Sequence, residues 1–228
     1  MERISDRVFR WVEMHGESRC EPYPWNSFAI RIPEEGALVL VDPLPMSEEE
    51  AGELEAFGPP THIVVTCEYH LRDSDRYRRR WGSRLLANEI ERERYGIPLD
   101  GLYHDGDILL GKIRCVQVPG GYYPETALLV EGKPRVLLIG DILSGGRCDA
   151  GIPDGGLGIA FPEYVPELGS IRISLRRLID LEFEVLAFGH GLPVRDDAKS
   201  KLREYTASEQ VWTKLATTRA ERGLRKAR

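Results

Sequence analysis

Three short polar segments of this chain carry side chains that could take part in catalysis or bind a metal ion. The first, residues 61–74, contains Cys67 and His70. The other two contain Asp141 and His190. Thiolate, imidazole and carboxylate groups are ligands of divalent ions, and they also act as nucleophiles, bases and acids. The segments therefore predict a functional site assembled from distant parts of the sequence.

Each polar segment follows a predicted β-strand. Residues 62–66, 136–139 and 185–188 are apolar, mostly β-branched or aliphatic runs, and the polar residues come directly after them. In layered α/β architectures functional groups lie where strands end. Helical patterns separate the strands, as in the stretch that opens on Ser47 with a glutamate three residues later. The alternation indicates a fold that combines sheets and helices.

The order and spacing of these segments resemble the metallo-β-lactamase superfamily. In that family a strand ends in Thr-His-x-His-x-Asp-His, and Pro-Gly-His-Thr-Pro-Gly-Ser, Gly-Asp and Gly-His-Gly segments follow. Here the corresponding segments are 66–72, 119–126, 140–141 and 189–191. The resemblance covers about residues 20–205. It implies an α+β fold, a four-layer αββα sandwich of two mixed β-sheets.

We expect one domain over residues 1–228, with a C-terminal helix and a frayed basic tail from about residue 196. Asp42, after another predicted strand, resembles an early aspartate of the family, and a simple turn cap is an equal alternative. Residues 144–158, which contain six glycines, are interpreted as a mobile loop over the site.

Several ligand positions of the family hold other residues in this chain. Aligning Thr66 with the threonine of the family motif leaves His70 on a position that is not a ligand. The four ligand positions themselves are occupied by Cys67, Tyr69, Leu71 and Arg72, and the histidine of the next segment corresponds to Tyr122.

Two positions, Asp141 and His190, keep ligand residue types. A hydrolytic zinc site needs three or four ligands, so two ligands from distant strands would hold an ion weakly. Arg72 also brings a fixed positive charge.

The first hypothesis is therefore a decayed site with no metal cofactor. Arg72 replaces the cation and forms a salt bridge with Asp141, and the cleft binds a small molecule or a protein partner without hydrolysis. Cys67, Arg72, Tyr122 and Tyr123 are the predicted substrate-binding residues, and Asp141, His190 and His70 are the candidate catalytic residues.

Two alternatives retain catalysis. One zinc or other divalent ion would be held by Asp141 and His190 with Cys67 or His70, and the protein would hydrolyse a small ester, thioester or lactone. In the other alternative Cys67 is a nucleophile and His70 or His190 its base.

Composition sets further expectations. The formal net charge of -6 argues against a nucleic-acid partner, and the arginines of residues 76–80 are expected on a solvated helix face. No apolar run is long enough for a membrane span, and no secretory signal or cysteine-pair motif is recognised. These features predict a cytoplasmic protein, and they leave a homo-oligomer open.

Overall fold

Two mixed β-sheets form the centre of the computed structural model, which describes residues 1–15 and 22–226. The first sheet has seven strands in chain order, of which β1–β4 are antiparallel and β4–β7 parallel. They are β1 (Glu2–Arg3), β2 (Val8–His15), β3 (Tyr23–Ile32), β4 (Ala37–Val41), β5 (His62–Val65), β6 (Arg84–Asn88) and β7 (Gly101–Tyr103).

The second sheet is built from strands of the later half of the chain: β8 (Ile108–Leu109), β9 (Ile113–Val118), β10 (Glu125–Val130), β11 (Val136–Ile139) and β14 (Val185–Phe188). Its order is β14-β11-β10-β9-β8, with β14 parallel to β11 and the other pairs antiparallel. Between β11 and β14 in the sequence, the strands β12 (Ser144–Arg147) and β13 (Ile152–Gly158) form a separate hairpin.

Helices cover the outer face of each sheet. The helices are α1 (Glu48–Glu55), α2 (Ser74–Trp81), α3 (Leu168–Ile179), α4 (Ala198–Ala207) and α5 (Glu209–Lys226). The first two pack on the seven-stranded sheet through Leu54 and Tyr77, and α3 to α5 pack on the five-stranded sheet. A third apolar cluster lies between the sheets and includes Val64 and Leu128. The predicted four-layer αββα sandwich is confirmed.

Local sequence signals explain where the helices begin and end. The hydroxyl of Ser47 accepts from the Glu50 amide at 3.1 Å, and the Glu50 carboxylate accepts from the Ser47 amide at 2.8 Å. This reciprocal pair is the predicted capping box that starts α1. Gly82 adopts the left-handed conformation and ends α2.

Some sequence predictions of local structure were wrong. Residues 23–25, predicted as loop, belong to β3, because pairing with β2 satisfies their backbone groups. The short helix predicted over 88–95 is limited to the 3-10 turn Glu89–Glu91. The single C-terminal helix that the sequence predicts is divided into α4 and α5. The segment predicted as a frayed tail is helical up to Lys226, as part of α5. Cys20, where the predicted loop begins, lies outside the described residues.

The glycine-rich segment is a hairpin rather than a loop. Gly145 in β12 lies so close to the chain after His190 that an added Cβ would be 1.7 Å from the carbonyl oxygen of Leu192. The glycines here permit close packing of two backbones.

We expect Gly145→Ala to destabilise the protein by about 3 kcal/mol or more, because the backbone itself would have to move. Gly52→Ala in α1 is the control. Its Cβ would meet open space, and it should stabilise by roughly 0.5–1 kcal/mol. Urea denaturation of both variants measures the difference, and equal stabilities would contradict the close approach.

The arginines of α2 are paired on the protein surface. Arg76, Arg78, Arg79 and Arg80 each lie within 3.3 Å of a carboxylate oxygen. No helix among the described residues is long and apolar enough to cross a membrane.

Candidate metal site and cleft

The strands that precede the candidate residues end at the same edge of the sandwich. Asp42 follows β4 and the segment with His70 follows β5, which is the parallel neighbour of β4. Asp141 follows β11 and His190 follows β14, and these two strands are also parallel neighbours. The fold therefore brings together groups that are up to 148 positions apart in the sequence, Asp42 and His190.

The Asp141 carboxylate lies between two imidazoles. Its Oδ1 atom is 2.9 Å from Nε2 of His70 and 2.7 Å from Nε2 of His190. The donor atoms of these three residues lie within 4.8 Å of one another, as the ligands of one metal ion would. His70, aligned with a position that is not a ligand in the family, is thus part of the site.

Asp42 fixes the orientation of His70. Its Oδ2 atom is 2.9 Å from Nδ1 of His70, whose side chain is 1% exposed, and it accepts from the Thr66 hydroxyl at 2.6 Å. Its Oδ1 atom accepts from the Thr66 amide at 2.8 Å. The Asp42 backbone has a φ of 49°, which aspartate tolerates better than most residues. Asp42 therefore supports the site and directs Nε2 of His70 to Asp141.

Ion pairing sets the charge states of this cluster. Burial acts to raise the pKa of Asp141, but the charge of His70 and the hydrogen bonds from both histidines hold this pKa well below its ordinary value. Burial and Arg72 oppose protonation of His70, whereas Asp141, Cys67 and Asp42 favour it, and its pKa lies well above the ordinary value. Burial lowers the pKa of His190. The two aspartates that contact His70 therefore favour its protonated form.

Glu125, the first residue of β10, shapes the segment that carries Asp141. Its buried carboxylate accepts hydrogen bonds from the amides of Gly140, Asp141 and Ile142 at 2.8, 2.7 and 3.0 Å. Burial raises the pKa of Glu125 to about 7, and the charge of Asp141 acts in the same direction. Glu125 was not among the residues predicted from the sequence. An acidic residue opening an apolar strand was the available signal.

Asn26 plays the same part for His190 and was also missed. Its side-chain amide donates to the carbonyls of Phe188 and Gly191, both at 2.7 Å. Its backbone amide donates to Gly189 at 2.9 Å. Asn26 therefore fastens the Gly-His-Gly segment to β3.

Cys67 is 1% exposed, and burial raises its pKa to about 11. A nucleophilic cysteine needs a lowered pKa and access to substrate. The structure therefore does not favour the thiol-enzyme hypothesis. Among the described residues, the donor group that could hold an ion consists of His70, Asp141 and His190, without Cys67.

The predicted salt bridge between Arg72 and Asp141 was wrong. Arg72 has a φ of 42°, and its Nη1 atom donates to the backbone carbonyls of Asn26 at 2.8 Å and Asp42 at 3.0 Å. No ion pair joins it to Asp141 in the described part of the chain, because the two histidines already occupy that carboxylate.

A cleft of about 680 Å³ opens above these groups. Tyr122 and Tyr69 are 64% and 63% exposed at its rim. Tyr123 stacks on Tyr69 with ring centroids 5.4 Å apart, and Tyr122 meets Tyr123 edge-on at 4.8 Å. Other aromatic lining residues are Tyr23, Trp25, Phe161 and Tyr164. Both predicted tyrosines therefore line the cleft as wall residues.

The fold and the position of the site agree with one known family. A family model described as metallo-beta-lactamase superfamily matches residues 8–209. The chain belongs to the metallo-β-lactamase superfamily. No match was found among the curated proteins.

Solved structures show the same architecture. The chain is similar to the DIM-1 metallo-β-lactamase exposed to ceftazidime, at 14% identity and a TM-score of 0.66, over 90% of this chain and 94% of that one. A metallo-β-lactamase from Hirschia baltica gives 15% identity and a TM-score of 0.65, over 90% and 96%. A flavo di-iron protein mutant from Thermotoga maritima gives 19% and 0.62, over 89% and 61%. At these identities the similarity shows the fold.

The residues present fit one metal ion. Two imidazole nitrogens and one carboxylate oxygen suit zinc, iron or manganese, and the contact of Asp42 with Nδ1 of His70 is the outer-shell partner that metal-bound histidines have. They do not fit a second ion, because Tyr69 turns outwards, Leu71 packs against the apolar cluster below α2, and Arg72 carries a positive charge.

Proposed function

We propose that this protein is a hydrolase that uses one divalent ion, held by His70, Asp141 and His190, to cleave a small ester, thioester or lactone. One observation carries the proposal. Three donor atoms from separate segments converge, and Asp42 fixes the imidazole ring of His70, the ligand that the family alignment does not predict. A single ion would take the place of the dinuclear site of the superfamily.

An ion bound there would supply Lewis-acid chemistry, polarising the substrate carbonyl and making water a better nucleophile near neutral pH. The protein's own residues prepare the site. To hold the ion, His70 would release the proton on Nε2 and keep the Nδ1 proton directed to Asp42. Glu125 and Asn26 hold the backbones of the segments that carry Asp141 and His190.

A second candidate function is binding without hydrolysis, in a site that has lost its metal. The donor atoms are hydrogen-bonded at 2.7 and 2.9 Å, whereas neighbouring ligands of a tetrahedral zinc ion lie about 3.4 Å apart. The protonated form of His70, which Asp141 favours, would balance the charge of that carboxylate. In this case the cleft binds a small molecule or a protein partner through its aromatic walls.

Metal content separates the two candidates. We expect about one equivalent of metal in protein expressed with zinc, manganese and iron available, and none in Asp141→Ala, because the shared ligand is gone. Elemental analysis measures this. Asp75→Ala, which removes a carboxylate on the surface of α2, should keep the metal. Wild-type protein without metal would overturn the hydrolase proposal and leave the binding function.

Two buried cysteines support a proposal about the cellular location. Cys67 and Cys115 are buried free thiols, which suit a reducing compartment. We therefore propose a cytoplasmic location, and cell fractionation tests it.

A further inference from the structure

We infer that the cleft takes a substrate bearing a carboxylate group, which Arg72 and Trp25 bind beside the candidate metal site. The inference gives a substrate class to the proposed function and rests on it for the reaction. The binding site itself depends only on side chains that the structure describes.

Arg72 is held in place by one half of its guanidinium group. Nη1 donates to two backbone carbonyls, and the residue keeps the uncommon left-handed backbone conformation described above. Such strain in a residue other than glycine, asparagine or aspartate costs about 1 kcal/mol or more and points to a functional constraint. Nη2 is buried and has no hydrogen-bond partner. The side chain is thus fixed, with a donor left over.

The ring of Trp25, which carries a second unused donor, lies next to the Arg72 guanidinium. Its Nε1 atom is also buried without a partner, and the Arg72 guanidinium carbon lies 5.8 Å from the centre of its ring. The ring stacks on His15 with centroids 3.6 Å apart and meets His190 edge-on at 5.0 Å. Trp25 is therefore held rigidly between Arg72 and the candidate metal ligand His190, and all three line the cleft.

The chemistry of these two groups selects an acceptor with negative charge. Guanidinium and indole nitrogens can only donate hydrogen bonds, and a buried donor without an acceptor costs about 1–3 kcal/mol. A carboxylate has two acceptor oxygens, one for each donor, and its charge matches that of Arg72.

The acidic side chains around Arg72 are already used. Asp42 accepts from Thr66 and contacts His70, Asp141 lies between two imidazoles, and Glu125 accepts from three backbone amides. The positive charge of Arg72 therefore has no carboxylate partner within the described part of the chain, and a ligand can supply one.

Arg147, another arginine of the cleft, differs from Arg72 because it has a carboxylate partner within the protein. It pairs with Asp149 through two hydrogen bonds of 2.8 and 2.6 Å, and its guanidinium stacks over Tyr23 at 3.9 Å. Its charge is balanced within the protein. Arg147 is thus a wall residue, and the matched control for Arg72.

Binding of simple probes tests the inference without requiring catalysis. We expect wild-type protein to bind benzoate more tightly than the neutral benzamide, measured by calorimetry. Hydrogen bonds to charged groups imply that Arg72→Gln weakens benzoate binding about 10- to 100-fold and Trp25→Phe roughly fivefold or more. Arg147→Gln should change it less than about threefold.

Equal binding of benzoate and benzamide by wild type, or no binding of either, would overturn the inference. So would tighter binding of phenyl phosphate, or an unchanged benzoate preference in folded Arg72→Gln. If circular dichroism shows that Arg72→Gln is unfolded, Trp25→Phe provides the test, because it keeps an aromatic side chain and removes the Nε1 donor. Unchanged benzoate binding in Trp25→Phe would then contradict the inference.

Asp141→Ala separates this inference from the proposed function. A benzoate preference that persists in this metal-ligand variant supports the Arg72 subsite, whatever the metal content of the wild type. If Asp141→Ala loses the preference for benzoate, benzoate binds the metal ion instead. This result would overturn the inference of a carboxylate subsite at Arg72.

Discussion

Glu125→Ala is expected to lower the free energy of unfolding by about 3–5 kcal/mol, one of the largest effects of any single substitution at the site. Three backbone amides, those of residues 140–142, would lose their acceptor inside the protein. Water cannot replace the carboxylate without entering a buried region. Urea denaturation monitored by circular dichroism measures the loss.

Glu184→Ala is the matched control for this variant. The Glu184 carboxylate also accepts from a backbone amide, that of Arg135 at 2.7 Å, but it is exposed to solvent. Its loss should cost less than about 1 kcal/mol, because water takes over the amide. Similar losses for both glutamates would show that burial of the Glu125 contacts does not matter.

Asp42→Asn is expected to destabilise the protein by about 3 kcal/mol and to weaken binding of an ion at the proposed site about 10- to 100-fold. Asparagine tolerates the left-handed backbone of Asp42, so the effect reports the lost charge. The imidazole of His70 would lose the carboxylate that orients it. Denaturation and metal titration measure the two effects separately.

Asp6→Asn serves as the comparison for Asp42. The Asp6 carboxylate accepts from the amide of Lys133 at 2.8 Å on the protein surface, and its neutralisation should change stability by less than about 1 kcal/mol. Unchanged metal affinity in Asp42→Asn would contradict the supporting role of this carboxylate.

The layers of the fold could be predicted because their signals are spread over many residues. Apolar runs such as 136–139 and 185–188 fill buried strands, and the order of polar segments after them identified the family. Helix boundaries with a local chemical signal, such as the start of α1 at Ser47 with Glu50, were also predicted correctly. The division between α4 and α5 also has such a signal, which the prediction did not use: the hydroxyl of Ser208 accepts from the Val211 amide at 3.3 Å and caps the start of α5.

The site was predicted less well because a fixed alignment carries no three-dimensional information. Residues Glu68–His70 form a 3-10 turn directly after β5. In such a turn each residue rotates by about 120°, so a shift of one position changes which side chain faces the cleft. The turn directs His70 inwards, whereas Tyr69 faces solvent.

The supporting residues escaped prediction for a different reason. Glu125 and Asn26 act through the backbones of segments distant in sequence, up to 165 positions away for Asn26. A hydrogen bond to a backbone group leaves no residue-type pattern at the partner position. An unusual residue type, such as the glutamate that opens β10, can draw attention to the position, but the folded arrangement is needed to show which backbone groups it contacts.

The helix α5 links the end of the chain to the cleft. Arg222 pairs with Glu163 at 3.1 Å, and Arg219 donates to the carbonyl of Pro166 at 2.6 Å. These contacts brace the segment that contributes Phe161 and Tyr164 to the wall. Most of α5 lies beyond residue 209, where the family match ends. The shape of the cleft wall therefore depends on a helix that lies mostly outside the region matched by the family model.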